Sequence, residues 1–140
     1  MALSWICERG PTWDADKRRI AGEAPRGTFD SRYRELAPGA AVPGEWWRVD
    51  EAGRAVAYGW LEVVWGDAEV LLATAPDCAG RGVGSFVLEH IEREARARGL
   101  NYTYNVVRPT HPDAEKVTAW LVKRGFRPSD DGRLLRAVTR

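Results

Sequence analysis

The chain is poor in the residues that build metal or disulfide sites. Its 140 residues include two cysteines, two histidines and one methionine. Cys7 and Cys78 lie far apart, and neither has a Cys or His at ligand spacing, so no metal site is expected. Two isolated thiols fit a reducing compartment, which makes a cytoplasmic location the expectation. Charge of one sign is also lacking: 21 Lys and Arg against 20 Asp and Glu leave a net +1. Such a balance offers no field to draw nucleic acid or a membrane surface, and neither is expected as a partner. No apolar run approaches the ~20 residues a bilayer needs, and Met1 to Cys7 is too short for a signal segment before Glu8 and Arg9 arrive. Repeats and low-complexity segments are absent. What remains is an ordinary globular composition, 44% hydrophobic and 29% charged, with seven tryptophans for a core or a pocket wall. The length suits one domain, residues 1–140.

One stretch organises the rest. Residues 70–75, Val-Leu-Leu-Ala-Thr-Ala, form an apolar run of strand length that Pro76 terminates by removing a ladder donor. Then comes Asp77-Cys78-Ala79-Gly80-Arg81-Gly82-Val83-Gly84, and after it a helix to Gly99. Val83, Phe86, Val87, His90, Ile91 and Ala95 form its apolar stripe, and His90 reads as a core residue. Glycines early in a helix cost roughly 1 kcal/mol each relative to Ala, so a plain turn has little use for three. Their advantage is access. The first turn of a helix presents unpaired N–H groups and a partial positive charge, and glycine lets a phosphate reach them. A diphosphate site is therefore expected. No Gly-Lys-Ser/Thr follows, which excludes a Walker loop, and the next strand ends Asn105-Val106-Val107-Arg108 without the acid that a dinucleotide site wants about 20 residues on.

In chain order, residues 3–7 read as a strand, Thr12 as the cap of a short helix through Ile20, and Thr28 or Asp30 as the cap of another through Leu36. Residues 45–50 and 55–65 read as strands joined by a turn at 51–54, and Gly66-Asp67 as the hairpin leading into the organising strand. Residues 101–107 form the next strand, parallel to 70–75 because a helix crosses between them. A helix opens at His111-Pro112-Asp113 and runs to about Arg124, and a last hairpin turns at Asp130-Asp131-Gly132.

These residues resemble a family. Ala79-Gly80-Arg81-Gly82-Val83-Gly84 is similar to the acyl-CoA diphosphate loop of the GNAT superfamily of N-acetyltransferases, Gln/Arg-x-x-Gly-x-Gly/Ala, with Ala79 where the family has Gln or Arg. Trp120-Leu121-Val122-Lys123-Arg124-Gly125-Phe126 resembles its aromatic-Tyr-x-Lys-x-Gly-Phe segment. Lys123, Gly125 and Phe126 match, and Leu121 replaces the Tyr that usually acts as general acid. The resemblance implies an α+β fold: a mixed, mostly antiparallel sheet with a parallel, splayed pair around the CoA loop. It assigns 45–140 to the acyl-CoA core and 1–44 to a variable acceptor-side segment.

The same resemblance implies transfer of an acetyl or other short acyl group from acyl-CoA to an amine of a small molecule or peptide, by direct attack in a ternary complex. Acetyl-CoA is the expected co-substrate, and the protein is expected as a monomer or homodimer. Cofactor contacts are expected at Ala73, Thr74, Ala79, Gly80, Arg81, Gly82, Val83, Gly84 and Ser85. Glu69, at the start of the organising strand, is the first candidate base, and Glu62 on the neighbouring strand the second. Tyr104 and His111 are candidates for protonating the leaving thiolate. Ala79 and Leu121 leave room for an alternative, a catalytically weak acyl-CoA-binding sensor or scaffold.

Overall fold

A computed structural model describes residues 2–22, 36–78, 80–107 and 111–139. Seven strands form one mixed sheet in the order β1-β2-β3-β4-β5-β7-β6. They are β1 (Leu3–Cys7), β2 (Glu45–Glu51), β3 (Arg54–Val64), β4 (Asp67–Thr74), β5 (Tyr102–Asn105), β6 (Arg127–Pro128) and β7 (Leu134–Ala137). Among the described residues three α-helices accompany them, α1 (Ala15–Lys17), continued by a wider π-turn at Arg18–Gly22, then α2 (Val83–Ala97) and α3 (Ala114–Lys123), with a single 3-10 turn at Pro76–Cys78. Every strand pairing is antiparallel except β4 with β5, which the α2 crossover makes parallel. The helix expected after Thr28 or Asp30, and Ala79 and Arg108, lie outside the described residues. No helix among the described residues is long and apolar enough to cross a membrane.

The hairpin turns set the register. Val64 pairs with Asp67, so the β3–β4 turn is Trp65-Gly66, one residue earlier than the Gly66-Asp67 read from sequence. Both turn residues have positive φ, 52° and 83°, the two left-handed positions whose twist suits a tight hairpin. A bulky Trp pays for that conformation with full exposure, 98%, at the tip.

The two faces of the sheet have different jobs. On one, α2 lies close against β3: a Cβ on Gly59 would meet Val87 Cγ1 at 3.0 Å and Ile91 Cδ1 at 3.3 Å. Val87, Ile91 and Ala95 are buried there, the apolar stripe expected of this helix. His90 sits at its margin, half-buried, with Nδ1 2.8 Å from the Phe86 carbonyl and its ring against Phe86 and Trp5.

On the opposite face, the Lys17 side chain at the end of α1 is wholly buried over the rings of Trp46 and Tyr58, 5.5 and 5.2 Å from their centroids. Its ammonium lies 2.6 Å from Glu8 Oε1 and 3.2 Å from Asp14 Oδ2. Asp14, rather than Thr12, caps this helix, accepting the Lys17 N–H at 2.8 Å, while Thr12 bridges to Ala41. An acceptor one residue outside the first turn reaches its N–H groups, and Thr12 lies too far back. Trp46 and Trp60 are fixed as well, both donating their indole N–H to the Pro43 carbonyl, at 3.0 and 3.1 Å.

Removing one member of a buried ion pair leaves the other charge uncompensated. Lys17→Met is expected to lower unfolding stability by about 3 kcal/mol, read by urea denaturation, because Glu8 loses its partner. A loss within measurement error would show that the pair is dispensable.

Candidate active site

The parallel pair is short. β4 and β5 are in register at Ala68 with Thr103 and at Glu69 with Tyr104, and there the pairing stops. Asn105 marks the parting. Its side-chain amide donates to the Val70 carbonyl at 2.8 Å, satisfying the group that a further β5 backbone N–H would otherwise reach. Alternation then fixes which β4 groups face the opening. Val70 points toward β5, whereas Ala75 donates to Val56 on β3 at 2.8 Å. The even-numbered residues Leu72 and Thr74 therefore direct their backbone N–H groups into the gap, and Ala73 directs its own toward β3.

A cavity of about 620 Å³ extends from this gap. Leu71, Leu72, Ala73 and Thr74 form one wall, Val106, Val107 and His111 another, and Val117, Trp120 and Leu121 of α3 a third. Gly80, Gly82, Gly84 and Ser85 close one end. Gly82 is the N-cap of α2 at φ 81°, with no side chain over the first-turn N–H groups. Gly84 is tighter: a Cβ there would come within 3.4 Å of Trp120 Cζ2 and 3.7 Å of Leu72 Cδ1.

Glu62, Glu69 and Tyr104 form a row on the α1 side of the sheet, because Glu62 pairs with Glu69 and Glu69 with Tyr104. β3 is buried on both faces through Leu61 and exposed from Glu62 onward, so the row stands at the open end of that face. Tyr104 is 8% exposed, with the Arg133 guanidinium 4.7 Å from its ring centroid. Burial raises its pKa above the ordinary value; Glu69 and, more weakly, Glu62 add to the rise, and Arg133 opposes it.

The sequence matches the acetyltransferase (GNAT) family over residues 11–126. The chain belongs to the GNAT family. No curated protein matches it. Among solved structures, it is similar to the ribosomal-protein-S18-alanine N-acetyltransferase of Escherichia coli, at 18% identity and TM-score 0.69, covering 99% of this chain and 96% of that one. It is also similar to the PaiA N-acetyltransferase of Thermoplasma acidophilum in complex with coenzyme A, at 14% identity and TM-score 0.61, covering 96% and 97%. A third likeness is to N-acetylglutamate synthase of Neisseria gonorrhoeae complexed with coenzyme A and L-arginine. It has 16% identity and TM-score 0.69, and covers 99% of this chain and 34% of that one. These likenesses bear on the GNAT fold.

Within this GNAT chain, the residues singled out from sequence separate into two groups. Glu62, Glu69 and Tyr104 gather on the α1 side, while Ala73, Thr74, Gly80, Gly82, Gly84, Ser85 and His111 line the cavity. Arg81 turns away from it: its Nη2 lies 3.2 Å from both carboxylate oxygens of Glu51. Val83 is a core residue, 2% exposed, and reaches the site only through its backbone. Cys78 is buried in the cavity wall, with Sγ 3.8 Å from Asp77 Oδ1. His111 accepts the Asp113 N–H on Nδ1 at 3.0 Å, which leaves the proton of the neutral ring on Nε2. Leu121, 3% exposed, fills the wall where the family's tyrosine would place a hydroxyl.

Sequence reasoning missed Asn105, Leu72 and the cavity face of α3. The Trp120–Arg124 spacing, one helical turn, was the available signal for the last.

The direction of the Tyr104 shift makes a testable statement. Glu69→Gln removes a negative charge and is expected to lower the Tyr104 pKa toward 10, whereas Arg133→Gln is expected to raise it further. Tyrosine ring-carbon NMR titration reads both. Equal titration curves in all three proteins would show that the row is not electrostatically coupled.

Proposed function

We propose that this protein transfers an acetyl or other short acyl group from acyl-CoA to an amine in a ternary complex. One observation carries the reading: Glu69 and Tyr104 are the last pair before β4 and β5 part, and the gap beyond opens into a cavity closed by the glycine-rich start of α2. The diphosphate would lie on the N–H groups of residues 80–85, where the helix dipole favours an anion. The pantetheine arm would follow the apolar wall of Leu72 and Val117 to the gap. There the thioester oxygen would meet the N–H of Leu72 or Thr74, donors held rigid by β4 and suited to the charge that grows on that oxygen.

The amine would approach from the α1 side. Glu69, directly or through a water, takes the ammonium proton; the neutral nitrogen attacks the thioester carbon; the C–S bond breaks with its electron pair leaving on sulfur, and the proton that the acylated nitrogen sheds passes through water to that thiolate. Of the two donor candidates, His111 stands in the cavity and Tyr104 on the other side of the sheet, so His111 Nε2–H is the better placed to hydrogen-bond the departing thiolate, which then takes its proton through water. Glu62, across from Glu69, is the second candidate base. Residues 45–140 would form the acyl-CoA core, with 1–44 shaping the acceptor side.

A weakly catalytic acyl-CoA sensor or scaffold is the second reading, and Leu121 is what favours it, since it leaves that wall without a hydroxyl. Thiol release from acetyl-CoA over an amine panel decides between them: turnover supports the transferase, and CoA binding with no turnover supports the sensor.

Glu69→Gln is expected to retain CoA affinity and lower kcat/KM by about 10²–10⁴-fold, the range of general-base catalysis. Near wild-type activity in a folded Glu69→Gln protein would reject this role, and a crippled Glu62→Gln would move it to β3. For the cofactor loop, Gly82→Val and Gly84→Val are each expected to weaken CoA binding at least about tenfold, by strain at the positive φ of Gly82 and by filling the space beside Trp120 at Gly84. Unchanged thermal stabilisation by CoA in both variants would place the diphosphate elsewhere.

A further inference from the structure

Arg124, at the end of α3, stands in the wall of the cavity, held there by contacts to both α3 and α2. Its guanidinium lies 3.8 Å from the Trp120 ring centroid. Nη2 donates to Ser85 Oγ at 2.9 Å and Nη1 to the Trp120 carbonyl at 3.2 Å. Among the described residues, no carboxylate pairs with it. Ser85 belongs to the first turn of α2, so a fixed cation sits beside the positive end of a helix dipole. Like charges in that arrangement repel, and a stack plus two neutral acceptors do not cancel the repulsion. An anion lying between the guanidinium and the first-turn N–H groups does. The planar fork also matches phosphate, and the stack and two hydrogen bonds set its orientation in advance.

We propose that Arg124 is the side-chain cation of the diphosphate site, taking the part that the Gln or Arg of the resembled loop would play at Ala79. The cofactor is then clamped between two elements, the backbone of α2 and the side chain of α3. This inference rests on the acyl-CoA reading given above. A second cleft shares Ser85 and Arg124 with this cavity and is lined besides by Arg93, Arg96 and Arg136 and by the carboxylates Glu89 and Glu92. There Arg93 lies 3.0 Å from Glu89 and Arg96 4.0 Å from Glu92, so much of its charge is already balanced. The 3′-phosphate of CoA is the rival anion for Arg124 on that side.

The test is calorimetric titration of the full chain with CoA and with 3′-dephospho-CoA, for wild type, Arg124→Ala and Arg124→Gln. The glutamine variant keeps a polar group beside Ser85 should the alanine variant fold poorly. A lost charge-assisted contact predicts that both ligands weaken about 10- to 100-fold, by the same factor, in a variant whose circular dichroism spectrum shows it folded. Unchanged CoA affinity in a folded variant overturns the proposal. So does a loss confined to CoA with 3′-dephospho-CoA unaffected, which would assign Arg124 to the 3′-phosphate. If wild type binds neither ligand, the acyl-CoA reading itself falls, and this inference falls with it.

Discussion

The parting of β4 from β5 is the constraint on which the site depends. Two adjacent strands gain from continued pairing, and each backbone group left unpaired inside a protein costs free energy. This sheet opens after two register pairs, and the Asn105 amide takes the Val70 carbonyl at the fork. A side chain that imitates the next rung ends the ladder without leaving its last acceptor orphaned. Beyond it, Leu72 and Thr74 turn N–H groups toward a cavity instead of toward a strand. The N–H groups that pairing with β5 would have used therefore face the cavity.

The fork also sorts the chemistry by side. Alternation along β4 sends Leu72 toward the helices α2 and α3 and Glu69 toward the α1 face. A ligand entering beside α3 and an amine arriving over Glu62 and Glu69 would therefore meet through the opening rather than compete for one mouth. The α1 face is held firm for its part. Lys17 beneath Trp46 and Tyr58, with Glu8 and Asp14 on its ammonium, fixes the strand residues next to the carboxylate row. Gly44 makes this possible: a Cβ there would fall 2.1 Å from Trp60 Nε1, so a side chain would break the hydrogen bond that Trp60 makes to Pro43.

Much of this was legible in the sequence because it is local. The glycine spacing at a helix start, the apolar run ended by Pro76 and the hairpin turns all declare themselves within about ten residues, whereas the place of β7 between β5 and β6 does not. The misplaced features depend on distant partners or on competition between neighbours. Gly66-Asp67 looked like the better turn, yet the register of β3 against β4 selected Trp65-Gly66 and left a tryptophan in solvent. Asn105 is unremarkable as a strand residue until Val70 is beside it. The partner of Arg81 was equally out of view, because Glu51, thirty positions away, faces its guanidinium. Arg124 looked like the tail of a helix, and only the packing of α3 against α2 brings it to Ser85.

The replacement of a tyrosine by Leu121 bears less on the proposed reaction than it first suggests. An alkylammonium of pKa near 10 has only about one molecule in a thousand neutral at pH 7, so removing its proton is the demanding transfer. The leaving thiol is a far stronger acid, with a pKa about two units closer to neutrality, and departs readily as thiolate. Brønsted behaviour then concentrates the benefit of a positioned side chain on the base rather than on the acid. The described architecture follows the same weighting. Two carboxylates, Glu62 and Glu69, are placed across one register pair on the α1 side of the sheet, whereas the described lining of the cavity includes one histidine, whose ring is oriented by one backbone N–H. Under the proposed mechanism a buried leucine at 121 packs the cavity wall at little catalytic cost, because the slower proton transfer would fall to Glu69.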